Sequence, residues 1–332
     1  MQIGQQVTRS SMLGGTFPPF VCPTHTTDLT ELRGELVCSK GETYRVDAGI
    51  PRFVANATYA DAFGLQWRTY RTPQLDSISG TTITSDRLRR CVGEELWPNL
   101  AGRNVLECGC GAGRFTEILL DRGAYVTSID LSSAVEANAA NFPVNDRHRV
   151  AQADILALPF APQQFDLVIC LGVIQHTPDP EATIAALAPH VKPGGWLVID
   201  HYTYSLSWWT KTAPLFRAVL RRLPAEAGLR WTERLVKIFL PLHKATRNLY
   251  PAHVLVSRLS PVLCYYRAYP EIGDELQREW ALLDTHDSLT DWYRHLRSRK
   301  AIRRALEFAG LTSIWCEKGG NGVEARAMRP FA

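Results

Sequence analysis

The stretch Val105-Leu106-Glu107-Cys108-Gly109-Cys110-Gly111-Ala112-Gly113-Arg114-Phe115 decides the fold. Residues 104–107 read as a strand and 114–121 as a helix, with three alternate glycines between them. Glycines at a strand-to-helix turn let the backbone bend tightly and let a ligand approach closely. That turn lies beyond the carboxyl end of a strand, where α/β sheets take nucleotides. The spacing is G-x-G-x-G, with Arg114 where a dinucleotide fingerprint has its third glycine, and the acid Glu107 ends the strand. A carboxylate there suits a ligand with an ammonium group better than one with a pyrophosphate.

Outward from this loop, residues 101–201 alternate between apolar runs and helical patterns, the signature of βαβ units and a parallel sheet. The further strands are 125–130, 149–152, 165–170 and 195–200, with helices near 132–141 and 180–190. Pro193-Gly194-Gly195 reads as a turn before the last of these strands. Asp130 ends the second strand, where an acid accepts from both hydroxyls of a ribose. Asp154 and Ile155 follow the third, placed to contact an adenine amino group and flank its ring. Asp166 reads as structural. From 202 to 297 the β pattern disappears, and 212–222, 229–239 and 273–283 read as amphipathic helices. A final helix at 298–309, with Ser298 as its N-cap, precedes strands 312–317 and 323–328 in an antiparallel hairpin.

Composition sets the outer bounds. The chain has 332 residues, is 45% hydrophobic and 21% charged, and carries a net charge of +4. These values exclude a disordered or low-complexity chain and do not mark a general polyanion binder. No stretch reaches the ~18–20 apolar residues of a membrane-spanning helix. Residues 1–20 lack a basic region followed by an apolar run, so no signal peptide is expected. Eight scattered cysteines fit a reduced, cytoplasmic protein.

Five motifs occur in order: residues 107–113, Ser128-Ile129-Asp130-Leu131-Ser132, residues 153–160, Gln164-Phe165-Asp166-Leu167-Val168 and Lys192-Pro193-Gly194-Gly195. Over residues 104–200 the chain resembles the class I S-adenosylmethionine-dependent methyltransferases, in particular those with type 11 domains. The resemblance implies an α/β fold: a Rossmann-like seven-stranded sheet with a final antiparallel strand and flanking helices. It implies S-adenosylmethionine as cofactor, with Glu107, Gly109, Gly111 and Gly113 at the methionine part, Asp130 at the ribose, and Asp154 and Ile155 at the adenine. Phe115, Leu131 and Leu171 are placed with them. Tyr59-Ala60-Asp61-Ala62-Phe63-Gly64-Leu65-Gln66-Trp67 is similar to a segment of type 11 relatives, so Phe63, Gln66 and Trp67 are expected to close over the cofactor.

The sulfonium methyl is already activated, so such an enzyme mainly positions a nucleophile, with a general base where that is oxygen or nitrogen. His176 follows the fourth strand and His286 lies in the acidic run 283–289; these are the catalytic candidates. His201, Tyr202, Asp284 and Asp287 are further candidate bases; the run 283–289 resembles an acidic segment that borders the pocket in this group and reads equally as an N-cap and solvated turn before the last helix. Some quinone-precursor methyltransferases carry a Glu-x-x-Glu-His metal triad at this point. Here Gly172 and Gln175 replace the glutamates, and no metal is expected there. No Asn-Pro-Pro-aromatic motif of base methylation is present.

Two appendages remain. Cys22, His25, Cys38 and Glu42 resemble the ligand positions of a zinc-ribbon-like module, with Gly41 or Glu42 where a fourth Cys or His is required. The module is expected to be a small β-knuckle that has lost its zinc. The helical segment carries nine Lys/Arg against two Glu between 211 and 247, with Trp208, Trp209, Phe216, Trp231, Phe239 and Leu240 in or near it. A basic face with aromatics suits an anionic lipid surface or a phosphorylated or glycan-linked acceptor.

The chain therefore divides into a degenerate zinc-ribbon-like module at 1–55, an N-terminal helical cap at 56–100, a cofactor-binding core at 101–201 and 298–332, and a helical insertion, or acceptor lid, at 202–297. The expected function is methyl transfer to an O or N atom of a small-molecule or lipid- or glycan-linked metabolite. Location is expected to be cytoplasmic, with peripheral contact at the inner membrane face and no nucleic-acid partner. The rivals are an RNA methyltransferase, suggested by the N-terminal module and basic insertion, and a non-catalytic scaffold that binds S-adenosylmethionine. A nicotinamide dehydrogenase is disfavoured by Glu107 and Arg114. Acceptor atom and oligomeric state stay open.

Overall fold

The structure, a computed structural model, describes residues 17–54, 59–205 and 210–331. Trp208 and Trp209 lie outside the described residues. The chain begins with a four-stranded antiparallel sheet, β1 (Leu29–Leu32), β2 (Glu35–Cys38), β3 (Thr43–Asp47) and β4 (Ile50–Pro51). Helices α1 (Asp61–Thr69), α2 (Asp76–Ser79) and α3 (Ile83–Val92) follow. The central alternation is β5 (Asn104–Cys108), α4 (Arg114–Asp121), β6 (Tyr125–Asp130), α5 (Ala134–Asn141), β7 (His148–Gln152), β8 (Phe165–Cys170), α6 (Pro180–Leu187) and β9 (Val191–His201). Helices α7 (Ala213–Leu220), α8 (Ala225–Thr246), α9 (Tyr250–Leu259) and α10 (Asp274–Thr290) form the insertion. Then come α11 (Arg299–Phe308), β10 (Thr312–Gly319) and β11 (Gly322–Met328).

The large sheet has seven strands in the order β10-β11-β9-β8-β5-β6-β7, with β5 to β9 parallel and the terminal hairpin antiparallel to β9. It is the Rossmann-like seven-stranded sheet with flanking helices that the sequence resemblance implies. Strands β5, β6, β8 and β9 bury apolar residues on both faces, the pattern of a sheet covered on each side. On one face Val105, Val126, Leu167 and Ile169 pack against Leu88 and Cys91 of α3 and Phe115 and Leu119 of α4. On the other, Leu106, Ile129, Val168 and Ile199 pack against Ile184 of α6 and Ile302 and Leu306 of α11. The first-face ends of β5, β6 and β8 thus carry helices that leave the strand tips open.

The N-terminal sheet joins the β7 edge. Phe53 N–H donates to Gln152 O at 2.8 Å, and Val21 N–H to Pro159 O at 2.9 Å. The Arg149 guanidinium lies 4.2 Å from the Phe20 ring centre, and Phe20 packs on Phe53 and Phe160. The insertion has a core of its own, with Leu220, Val236, Leu240, Ala281 and Leu289, against which Tyr70 from the end of α1 packs. Helix α1 therefore touches both the sheet domain and the insertion. Among the described residues no helix is long and apolar enough to cross a membrane.

Two expectations are corrected. Pro193-Gly194-Gly195 is not a turn before a strand but a bulge inside β9, where pairing jumps from Phe165–Val191 to Leu167–Trp196. Gly194 has φ +75°, and its N–H donates to Arg329 O, so the chain loops out and continues in the same direction. Of the two readings of the run 283–289, the solvated turn fails and the pocket-bordering segment stands. Helix α10 runs unbroken to Thr290, because the polar side chains at 284 and 287 face the interior cavity rather than solvent.

Buried ion pairs lock the helices to the strand ends. Asp200, fully buried near the end of β9, pairs with Arg87 of α3 and accepts from Gly172 N–H at 2.6 Å. Glu324 of β11 takes both arms of the Arg90 fork at 2.7 Å. Asp200→Ala leaves Arg87 largely buried without its counter-charge, and the expected loss is about 3 kcal/mol of unfolding free energy. Asp200→Asn, which keeps the acceptor for Gly172, is expected to lose less. Urea denaturation of both variants checks this; equal and negligible losses contradict it.

Candidate active site

A cavity of about 350 Å³ lies over the carboxyl ends of β5, β6 and β8. Its floor is the glycine loop. Gly109 and Cys110 N–H groups both donate to Ile129 O, at 2.8 and 2.9 Å, and Gly111 N–H donates to Asp130 Oδ2 at 3.0 Å. The loop is thereby clamped to the end of β6. Gly109 has φ +76°, and a Cβ there would stand 2.2 Å from Val173 Cγ2. At Gly111 a Cβ would press the Trp67 indole at 3.1 Å. Both positions need glycine for backbone conformation and for space.

Asp130 stands on the cavity wall. Its Oδ1 accepts from Ser132 N–H at 2.9 Å and Ser132 O–H at 2.7 Å. Burial raises its pKa, and these donors together with Gly111 oppose the rise. Asp154 caps the short turn that follows, accepting from Leu156 N–H at 2.9 Å, and Ile155 lines the cavity beside it. Phe115, Leu131 and Leu171 line it too, and α1 brings Phe63, Gln66 and Trp67 over the top.

Four expected site residues lie elsewhere. Gly113 is off the cavity wall; its φ of +99° and the Phe142 ring 2.7 Å from a would-be Cβ explain the glycine by packing. Glu107 is buried beneath the loop, where its Oε2 accepts from Thr116 O–H at 2.5 Å and Ser128 O–H at 2.9 Å. Burial pushes its pKa up to about 7, against those two hydrogen bonds. It therefore props the loop from below. His286 is buried in α10, and its Nδ1–H donates to Gln66 Oε1 at 2.7 Å, so it positions Gln66 and does not reach the cavity. Burial lowers its pKa to about 4, which keeps the ring neutral. His201 is buried beside Tyr202 O, off the cavity, whereas Tyr202, Asp284 and Asp287 do line it. Asp166 is structural as read: it accepts from Asn104 N–H and from Lys192, both at 2.9 Å.

Of the two expected catalytic histidines His176 is the one on the wall, and the structure brings to it Phe63, Tyr202 and Asp287, all candidates from the sequence, together with Asp291, which is not among them. Its Nδ1 lies 3.1 Å from Asp291 Oδ2 and its Nε2 3.6 Å from Asp287 Oδ1. Phe63 and Tyr202 meet the ring edge-on, with centroids 5.4 and 5.3 Å away. Burial alone would lower the imidazole pKa, but Asp287 and Asp291 reverse it and the net shift is upward. Asp291 is held by Arg217 of α7, Nε to Oδ1 2.6 Å, with Arg294 at 3.9 Å. His176, Asp287 and Asp291 converge within 4.8 Å as charge partners; the hydrogen bond at Nδ1 goes to Tyr293 O at 3.3 Å, and Arg217 and Arg294 offset part of the carboxylate charge. The helical repeat of Asp284, Asp287 and Asp291 was the available signal for Asp291; nothing local in the sequence ties Arg217 to it.

Arg114 was read only as a departure from a dinucleotide loop. It lines the cavity, donating to Gln74 Oε1 at 2.9 Å and Thr84 Oγ1 at 3.2 Å, and no salt bridge engages it among the described residues. At the N-terminus, Cys22, His25 and Cys38 converge, with His25 Nδ1 3.5 and 3.6 Å from the two sulfurs. Glu42 is not with them. Its backbone, not its carboxylate, meets Cys38, accepting from Cys38 N–H and hydrogen-bonding the thiol, and Tyr44 O–H stands 3.2 Å from Cys22 Sγ.

Residues 106–199 match the family model described as a methyltransferase domain. A ubiquinone biosynthesis O-methyltransferase of Pseudomonas fluorescens (strain Pf0-1) is 43% identical over 101 residues, which are 29% of this chain and 43% of that one. One from Stutzerimonas stutzeri (strain A1501) is 40% identical over 101 residues, with the same coverage. The chain thus spans less than half the length of these curated relatives. Among solved structures, magnesium protoporphyrin IX methyltransferase from Synechocystis PCC 6803 with bound SAH is similar at a TM-score of 0.43 and 16% identity, over 82% of this chain and 96% of that one. The chain carries a methyltransferase domain of the S-adenosylmethionine-dependent class.

The loop geometry makes a prediction. Gly109→Ala imposes both the clash with Val173 and an unfavourable φ, and is expected to cost about 2 kcal/mol of stability. Adding Val173→Ala is expected to recover the clash part and leave about 1 kcal/mol for the backbone. Full recovery, or none, in thermal unfolding contradicts this division.

Proposed function

Starting from a chain that carries an S-adenosylmethionine-dependent methyltransferase domain, we propose that it transfers a methyl group to an acidic oxygen or nitrogen of a small or lipid- or glycan-linked metabolite, with His176 as the general base. The observation that carries this reading is the buried His176, paired with Asp287 and Asp291, in the same cavity as the glycine loop.

The residues present fit the cofactor. Asp130 retains lone pairs toward the cavity for ribose hydroxyls, Asp154 and Ile155 flank the adenine position, and the cradle at Gly109 and Gly111 has no room for a side chain. Arg114, without a carboxylate partner, suits the methionine carboxylate. When bound, S-adenosylmethionine supplies a methyl group on a positively charged sulfur. His176 Nε2 takes the acceptor proton, and Asp291 steadies the resulting imidazolium at Nδ1. Asp287, 3.6 Å from that Nε2, stabilises the charge of the protonated ring there. Gln66, fixed by His286, and Trp67 exclude water above the loop.

The O-methyltransferase relatives support oxygen as the acceptor atom. The insertion supports a lipid-linked or membrane-associated acceptor. Its α10 and the segment before it wall the cavity, and α9 buries no residue while Tyr250, Leu255 and Leu259 stand exposed beside the basic chain. Such a face suits peripheral contact with an anionic membrane.

Methyl-labelled S-adenosylmethionine, incubated with the protein and an extract of its source cells, tests the acceptor class. Label is expected in an organic-soluble or polar small-molecule fraction; label in RNA overturns the reading in favour of nucleic acid. The base has its own test. His176 must be neutral to accept a proton, so kcat/KM is expected to fall as pH drops through a value above the ordinary histidine pKa of about 6.5. Asp287→Asn is expected to move that limb to lower pH, and His176→Ala to lower kcat by roughly 10²–10⁴. A limb unmoved by Asp287→Asn removes His176 from the role.

A further inference from the structure

The insertion holds a second cluster of metal-ligating side chains, away from the cavity. His243 of α8, His253 of α9 and Cys264 between α9 and α10 place one ligand atom each within 4.8 Å of one another. His243 Nδ1 lies 3.2 Å from Cys264 Sγ, and the two imidazole rings meet edge to face at 5.5 Å. A thiol–imidazole hydrogen bond explains the first contact but not the rest. His243 is fully buried, and its Nε2 and the Nδ1 of His253 have no hydrogen-bond partner. A buried polar atom without a partner is costly, and two in one cluster call for a ligand.

We propose that His243, His253 and Cys264 bind a zinc ion that pins this side of the insertion together. The site has two imidazoles, a thiolate and no carboxylate, a donor set that selects zinc over magnesium or calcium. Burial keeps both histidines neutral, His243 down to about 4, so their lone pairs are free for a metal at neutral pH. The thiol, which burial pushes up to about 11, gives its proton to solvent as the metal–sulfur bond forms. Lys211 and Arg267 lie near enough to influence the histidines; they disfavour a bare cation and favour the thiolate that makes the site less positive. Three protein ligands leave a fourth position for water.

The consequence reaches the cavity through the chain itself. Cys264 lies between Leu263 and Tyr265, both of which line the cavity wall. Leu263 N–H donates to Thr285 Oγ1 at 2.9 Å, and Tyr265 O–H donates to Asp284. A metal at Cys264 ties that wall segment to α8 and α9. The proposal does not depend on the nature of the acceptor.

Cobalt(II) titration of metal-free protein tests it, because thiolate-bound cobalt absorbs in the near ultraviolet. The N-terminal cysteines also bear thiols, so the titration uses a Cys22→Ser/Cys38→Ser variant whose fold is checked by circular dichroism. One equivalent of cobalt with a thiolate band is expected, lost on adding Cys264→Ser and weakened at least tenfold by His253→Gln. A folded variant with no thiolate band, or a band indifferent to Cys264→Ser, overturns the site. Should the double variant misfold, the zinc content of otherwise unaltered protein and of Cys264→Ser alone decides: a loss of one equivalent supports the site, and no loss overturns it.

Discussion

Two carbonyl-bound amides and one carboxylate-bound amide hold the glycine loop to the end of β6, and the rest of the molecule is arranged around that clamp. Gly109 and Cys110 donate to Ile129 O while Gly111 donates to Asp130, so the turn after β5 and the acid after β6 have one fixed separation. The same bonds orient Asp130 toward the cavity. Glu107, bound to Thr116 and Ser128, supports the loop from the protein side, and Val173 and Trp67 close on it from the other. A Cβ at Gly109 would collide with Val173 and one at Gly111 would crowd the Trp67 indole, and the space left over is the cavity.

Charge is distributed in layers about that cavity. Asp200 with Arg87 and Glu324 with Arg90 tie α3 to the strand ends and offset each other. Asp291 draws on Arg217 and Arg294 and presents its remaining oxygen to His176. Arg114 faces the cavity from the first turn of α4 without a counter-ion among the salt bridges. Asp130, Arg114 and His176 thus face one cavity from three different elements. The carboxylates that raise the His176 pKa come from α10 and its C-terminal cap, so the insertion sets the charge of that wall.

Most of the sheet was legible in the sequence. Parallel strands buried on both faces read as short apolar runs, and 125–130 and 165–170 coincide with β6 and β8. The failures have physical causes. Pro193-Gly194-Gly195 carries the chemistry of a turn, yet a strand pair makes the same φ sign change to accommodate a bulge. Asp284 and Asp287 look like a solvated turn because polar residues within a helix usually face water, and here they face a cavity. Glu107 and Gly113 were assigned to the ligand because the loop motif is contiguous in sequence; in space Gly109 to Ala112 meet the cavity, while Glu107 lies beneath the loop and Gly113 turns against Phe142. His286 and Asp291 illustrate the limit from both sides. The roles of both depend on contacts over 100 residues away in the chain, Gln66 for the one and His176 for the other, and local pattern carries no record of them.

The central claim is that this cavity is built to take S-adenosylmethionine on Asp130 and the clamped loop. Calorimetric titration with S-adenosylhomocysteine, in wild type and in Asp130→Ala, with NAD as a competitor, tests it most directly. Saturable binding that NAD does not displace, weakened by roughly 1.5–3 kcal/mol in the variant, is the result expected from losing hydrogen bonds to a charged group. Displacement by NAD, or an affinity unchanged by Asp130→Ala, would contradict the account.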